Sequence, residues 1–260
     1  MKEIALYIEK WLSDYCREAG LKGFVVGVSG GIDSAVTSTL CARTGLDVIL
    51  LNMPIYQAPE QISLASAHID RLVESFGNVR GETIDLTPVF QQMEKSLPSK
   101  IQDALTMANT RSRLRMVTLY AQATHHRMLV AGTGNRVEDF GVGFYTKYGD
   151  GGVDISPIAD LMKTEVFAMG RYLGIHEDIL NAPPTDGLWE DGRTDESQIG
   201  ATYPELEWAM CFEEAPKDMS LLSIPQQKVL AIYRKFNRMN RHKMEPIPVC
   251  KIPDDLRLNE

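Results

Sequence analysis

The sequence predicts an α/β fold, a doubly wound parallel sheet with helices on both faces. Three observations lead there. Short apolar runs alternate with longer stretches of helical spacing. Those runs are continuously apolar, as in DVILLN (47–52) and MLVAG (128–132), which is the pattern of strands buried on both faces. The most glycine-rich loops fall directly after predicted strands, where open α/β sheets hold their ligands.

Ile4, Ile8, Trp11, Leu12 and Tyr15 recur at helical spacing, and Gly20 marks a stop. Phe24 to Val28 reads as a buried strand running into Ser29-Gly30-Gly31, and a helix follows from Asp33 to Arg43, closed by Gly45. Asp47 to Asn52 is the second strand. Pro59 opens a helix toward Phe76, a position that suits proline, and Val79 to Asp85 is a weaker third strand. A long helix spans Ile101 to His125, and Met128 to Gly132 is the fourth strand. The Gly-rich segment Thr133 to Gly152 leads to a short fifth strand, Ile155 to Ile158, and a helix from Lys163 to Leu173. Pro183 to Thr202 is polar and reads as a loop. Two more helices reach Arg241, and the last part is Pro-rich. In this reading residues 1–260 form one domain.

The formal net charge of -8 argues against a nucleic-acid binder, whose affinity comes largely from phosphate neutralisation. Arg111, Arg113 and Arg115 cluster on one helical stretch, and Arg234, Lys235, Arg238, Arg241 and Lys243 on another. Taken alone, each is as well explained by a solvated helix face as by an anion site. Cys16, Cys41, Cys211 and Cys250 form no CxxC pair, so neither a disulfide framework nor a zinc site is indicated. No apolar run reaches membrane-spanning length and no secretory leader opens the chain, so a cytoplasmic protein without a membrane partner is expected.

The sharpest feature is Gly27-Val28-Ser29-Gly30-Gly31-Ile32-Asp33-Ser34, leaving a strand and opening a helix. Glycines let backbone approach a ligand closely, and a helix start offers unpaired N–H groups to a phosphate. The competing reading is an ordinary Gly turn with Asp33 or Ser34 as helix cap. The loop is neither GxxxxGK[ST] nor GxGxxG. As a whole, SGGIDS resembles the pyrophosphate loop of the PP-loop ATP pyrophosphatases, an adenine nucleotide α-hydrolase-like fold. That resemblance implies ATP cleaved between its α and β phosphates and an adenylated acceptor.

A second constellation narrows the family. GTGNRVE (132–138) leaves the fourth strand, followed by FYTKYGDGGVD, a proline and Lys163. With NTRSRLRMVTLY, PPTDGLWEDGRTDESQIGATYPELE and RHKMEPIP, this closely resembles the NAD synthetases from Gly23 to Pro248. The resemblance implies a ligase that converts deamido-NAD to NAD with ATP and ammonia. It implies that Gly27, Val28, Ser29, Gly30, Gly31, Ile32, Asp33, Ser34, Thr133, Lys163 and Thr185 contact ATP, and that Asp33 and Glu138 bind Mg2+. Arg113, Lys147, Asp154, His242 and Lys243 would contact deamido-NAD. Ser29 and Asp33 would act in catalysis, as would Asp150, placed near the reacting centre to manage ammonium or its proton. A homodimer is implied as well. The run from Glu138 to Lys147 is one residue longer than in some members, and Arg193 stands where glutamine is frequent.

Other PP-loop enzymes, such as tRNA thiolases and lysidine synthetases, need an RNA-binding surface, and the thiolases need catalytic cysteines; the acidic charge and cysteine placement speak against both. A non-catalytic adenine-nucleotide binder would tolerate loss of Asp33 and of a second acidic ligand, yet both are present. Only one helix precedes the resembling region, so no amidase domain is expected and free ammonia is the expected nitrogen source.

Overall fold

A computed structural model describes residues 1–183, 194–215 and 219–257. Four parallel strands make the sheet: β1 (Gly23–Gly27), β2 (Asp47–Asn52), β3 (Val79–Thr83) and β4 (Leu129–Val130), in spatial order β3-β2-β1-β4. Phe24 pairs with Leu129 and with Val48, so β1 lies in the middle. The expected fifth strand is reduced to one parallel bridge between Ala131 and Ile155. Pro157, two residues on, lacks the N–H that a continuing ladder needs.

Alternate residues of these strands feed two apolar layers. Phe24, Val26, Val48, Leu50 and Leu129 pack with helices α1 (Lys2–Glu18), α2 (Ile32–Arg43) and α3 (Pro59–Ser75). Val25, Ile49, Leu51 and Val130 pack on the other face with α4 (Thr87–Ser96) and α5 (Ala104–His126). Helix α4 was not expected from the sequence; it contributes one buried residue of its own, Phe90, too few to print a helical period.

The chain then crosses to a third apolar cluster, built by α9 (Tyr203–Glu214) and α10 (Ile224–Met244) with Val137 and Val142. Between them come α6 (Lys163–Leu173) and the short α7 (Glu177–Leu180) and α8 (Asp195–Ile199). Helix α8 falls where the sequence suggested only loop; Thr194 caps it by accepting the Ser197 N–H. Within the Gly-rich segment, Val137–Val142 forms a π-helical turn. Asn237 and Asn240 of α10 donate side-chain amides to the Gly141 and Val142 carbonyls there, at 2.7 and 2.8 Å.

Candidate active site

Beside central β1, the strand order turns: β2 follows on one side and β4, far later in the chain, on the other. Such a switch point opens a crevice at the carboxyl ends of the strands. The SGGIDS loop leaves β1 into it and GTGNRVE leaves β4 beside it.

Gly30 holds φ of +87°, and a side chain there would press on the Gln61 carbonyl and the Ala65 amide of α3. Both facts require glycine. Gly31 is the N-cap of α2 and no side chain caps the helix, so the capping role weighed for Asp33 or Ser34 is not what these residues do. Ser34 instead donates its hydroxyl to the Gly31 carbonyl at 2.9 Å and accepts the Ser29 N–H at 3.2 Å, while Ser29 Oγ accepts the Gly31 N–H at 3.2 Å. These bonds hold the loop around an uncapped helix start, the arrangement that receives phosphate.

Asp33, one residue into α2, meets Lys163 at the start of α6. Lys163 Nζ donates to Asp33 Oδ2 at 2.6 Å and to Glu138 Oε1 at 3.0 Å. The two helices approach closely where Gly170 faces Ile32; a Cβ at Gly170 would lie 2.6 Å from Ile32 Cδ1. Lys163 is 3% exposed, so its charge is set by these partners. Burial works against the ammonium, but the two carboxylates outweigh it and raise Lys163 above its ordinary pKa. Burial likewise disfavours the Glu138 carboxylate, yet Lys163 and the hydrogen bonds from Tyr203 and Asn135 hold it below its ordinary value. Asp33 is raised by burial, only partly offset by Lys163, with Glu138 pushing in the same direction as burial. One ammonium cannot fully compensate two buried carboxylates, and Asp33 is the one whose charged form is disfavoured.

Two residues not singled out in the sequence complete this cluster. Asn135 donates Nδ2 to Asp33 Oδ1 at 3.0 Å and accepts the Glu138 N–H on Oδ1 at 3.2 Å. Tyr203 donates its hydroxyl to Glu138, and its ring lies under Lys163, 4.7 Å from Nζ to centroid. A third, Asp139, lies so close to Gly134 that a Cβ there would come within 2.1 Å of Asp139 Oδ1. Desolvation raises the Asp139 carboxyl to about 8, helped by Glu138, Asp150 and Asp33. Asn135 and Tyr203 each sit inside a segment that carries the resemblance, GTGNRVE and the stretch ending ATYPELE, but the resemblance gives neither a role there, and Asp139 follows directly after GTGNRVE.

The GDGG turn packs on α5. Asp150 Oδ1 accepts from Ser112 Oγ at 2.7 Å and from the Thr146 N–H at 2.9 Å. Gly149 is needed, because a Cβ there would fall 2.2 Å from Ser112 Oγ, and a Cβ at Gly151 would fall 2.4 Å from the Tyr145 ring. Nearby, Arg113 Nε donates to the Lys147 carbonyl at 3.3 Å, Lys147 Nζ donates to the His242 carbonyl, and Lys243 Nζ donates to the Gly143 and Tyr145 carbonyls. The structure thus brings Arg113, Lys147, His242 and Lys243 together. Asp154 is committed elsewhere: it accepts the Val130 N–H at 2.8 Å and the Tyr120 hydroxyl at 2.9 Å. Thr133 sits at the carboxyl end of β4. Thr185 and Arg193 lie outside the described residues.

Residues 4–247 match the profile of the NAD synthase family. An NH(3)-dependent NAD(+) synthetase of Carboxydothermus hydrogenoformans is 41% identical over 90% of both chains. One from Sulfolobus acidocaldarius is 36% identical over 95% of this chain and 88% of its own. The solved structure of an NMN synthetase from Francisella tularensis superposes with a TM-score of 0.84, at 33% identity, covering 97% of this chain and 98% of that one. With residues 4–247 matched and a relative 41% identical over 90% of both chains, the chain belongs to the NAD synthase family.

Proposed function

We propose that the chain is a ligase that converts deamido-NAD to NAD with free ammonia, cleaving ATP to AMP and pyrophosphate. The observation that carries this reading is the Asp33–Lys163–Glu138 cluster beside an uncapped helix start; the grouping of Arg113, Lys147, His242 and Lys243 about the GDGG turn supports it. The substrate carboxylate attacks the α-phosphorus of ATP and pyrophosphate leaves. Ammonia then attacks the acyl carbon of the adenylate and AMP departs with the second bond.

Each group has a part in that sequence. Loop amides from Ser29 to Ser34 and the start of α2 take up charge on the β and γ phosphates, with Lys163 adding a buried cation. The donor chemistry fits magnesium: Asp33 and Glu138 present hard oxygens whose combined charge Lys163 only partly offsets. Among the described residues no group of three or more His, Cys, Asp or Glu side chains is placed to hold a metal, so two carboxylates would share the ion with phosphate oxygens. When bound, Mg2+ neutralises the departing pyrophosphate. Arg113, Lys147, His242 and Lys243 suit a substrate with phosphates and a carboxylate. In this reading Asp150, held by Ser112 and Thr146, would bind ammonium or accept its proton.

The likeness to an NMN synthetase favours a second substrate by the same chemistry, the mononucleotide deamido-NMN. We further read the chain as a cytoplasmic homodimer with small-molecule partners only. No described helix is long and apolar enough to cross a membrane.

The test is chromatography of products from ATP and ammonium salt with deamido-NAD and, separately, deamido-NMN. AMP and pyrophosphate are expected, and the kcat/KM ratio assigns the substrate. ADP and phosphate would sink the assignment, and equal turnover on purified glutamine would remove free ammonia as the nitrogen source.

A further inference from the structure

Tyr203 is 3% exposed, in the first turn of α9, among Val137, Leu206, Met210 and Tyr233. A phenylalanine would serve that packing. The hydroxyl instead ends in the active-site cluster, and a buried hydroxyl is tolerable only where it finds a partner. Its partner is Glu138 Oε1, the same oxygen that receives Lys163. Both bonds fall on one oxygen, leaving Oε2 out of this pairing. The Tyr203 ring meanwhile supports the Lys163 ammonium, a cation–π contact at 4.7 Å.

The tyrosine is itself held. Its N–H donates to Glu196 Oε1 at 2.8 Å, and its hydroxyl lies 3.2 Å from Asp195 Oδ2. Thr202 and Glu205 form a capping box that fixes the start of α9. A glutamate has three side-chain torsions and samples many rotamers unless neighbours hold it. Here a rigid two-torsion aromatic, anchored on a capped helix, supplies that constraint.

We propose that Tyr203 is a positioning residue of the reaction: its hydroxyl pins Glu138 Oε1 beside Lys163, so that Oε2 is presented to the divalent cation. This rests on reading Asp33 and Glu138 as the metal carboxylates. Groups that hold a metal ligand in place typically cost about 10- to 100-fold in metal affinity or activity when removed.

The test is Tyr203→Phe, which keeps the ring, the packing and the Lys163 contact. Mn2+ binding is followed by electron paramagnetic resonance in the presence of α,β-methylene ATP, which is not cleaved between α and β. Wild type should bind Mn2+ under these conditions, and Tyr203→Phe should bind it at least 10-fold more weakly, with circular dichroism unchanged. The Mg2+ concentration for half-maximal rate should rise in parallel while the KM for ammonium stays put. In a Glu138→Gln background, Tyr203→Phe should add less than twofold, because its effect passes through that carboxylate. A folded Tyr203→Phe with wild-type Mn2+ affinity overturns the inference, as do additive losses in the double variant. Wild type that holds no Mn2+ with the analogue removes the metal reading, and this inference with it.

Discussion

Replacing Lys163 by methionine keeps most of its length and removes its charge, leaving Asp33 and Glu138 to face each other. Because one nitrogen bonds both at 2.6 and 3.0 Å, the two carboxylate oxygens are no more than about 5–6 Å apart. At an effective dielectric of about 20, two like charges at that distance repel by roughly 3 kcal/mol. Breaking a buried pair by removing one partner costs a similar amount, about 3–5 kcal/mol. For a chain of this size that is a fall in Tm of about 6–12 °C at pH 8. The sign with pH follows from linkage. Without Lys163 a carboxyl has a raised folded pKa, so the deficit is fullest at pH 8 and shrinks as falling pH lets that carboxyl protonate. The assay is differential scanning fluorimetry of Lys163→Met and wild type from pH 8 to pH 5, with and without Mg2+. The gap should narrow toward pH 5, and Mg2+ should restore part of it at pH 8. Equal melting at pH 8, or a gap that widens in acid, would refute the electrostatic account of this cluster.

His68 is buried between α3 and α2 with Nε2 2.9 Å from Ser38 Oγ, and desolvation, with Arg71 adding to it, lowers its pKa to about 4. A lowered histidine favours folding while neutral, so wild type should lose about 3 kcal/mol as pH falls from 6.5 toward 4; His68→Gln should flatten that slope in urea titrations. Gly149→Ala puts a methyl where Ser112 Oγ stands, 2.2 Å away. Overpacking of about 1–3 kcal/mol and a displaced Asp150 should lower kcat with little change in the KM for ATP, measured by pyrophosphate release. Asn237→Ala leaves the Gly141 carbonyl without its amide donor and should cost about 1–3 kcal/mol in chemical denaturation, against near-neutral effects of alanine at exposed Lys235.

The strands were legible because both faces of this sheet are covered, which makes Val48 to Leu51 apolar without alternation. The SGGIDS loop was legible because its chemistry is local: turn, helix start and serines all come within eight residues. Helix α4 was not, since tertiary contact at Phe90 rather than a periodic face holds it. Tyr203 was not either. It lies 65 residues from Glu138, and an aromatic after a helix cap is indistinguishable in sequence from ordinary core. Lys163 carried the same ambiguity, being 130 residues from Asp33; only resemblance singled it out. Long-range polar pairs leave no periodic trace in a single sequence.

The π-helical turn Val137–Val142 has a clear physical role. In an α-helix, residues five apart diverge by about 140° around the axis, so Val137 and Val142 would not share a face. A turn closed over five residues brings both into the α9–α10 cluster, and both are fully buried there. Glu138, next in line after Val137, is thereby directed out of that cluster toward Lys163. The widened turn frees carbonyls, and the chain answers with Asn237 and Asn240, whose amides meet Gly141 and Val142. Lys243, one turn further along α10, takes the Gly143 carbonyl and reaches the basic group beside Asp150. A single helix, α10, therefore braces the turn that carries Glu138 and, under the proposed function, supplies cations for the substrate. Displacing that helix would disturb both halves of the site at once, which explains why polar residues as bland in sequence as Asn237 and Asn240 stand at the points where α10 meets the turn.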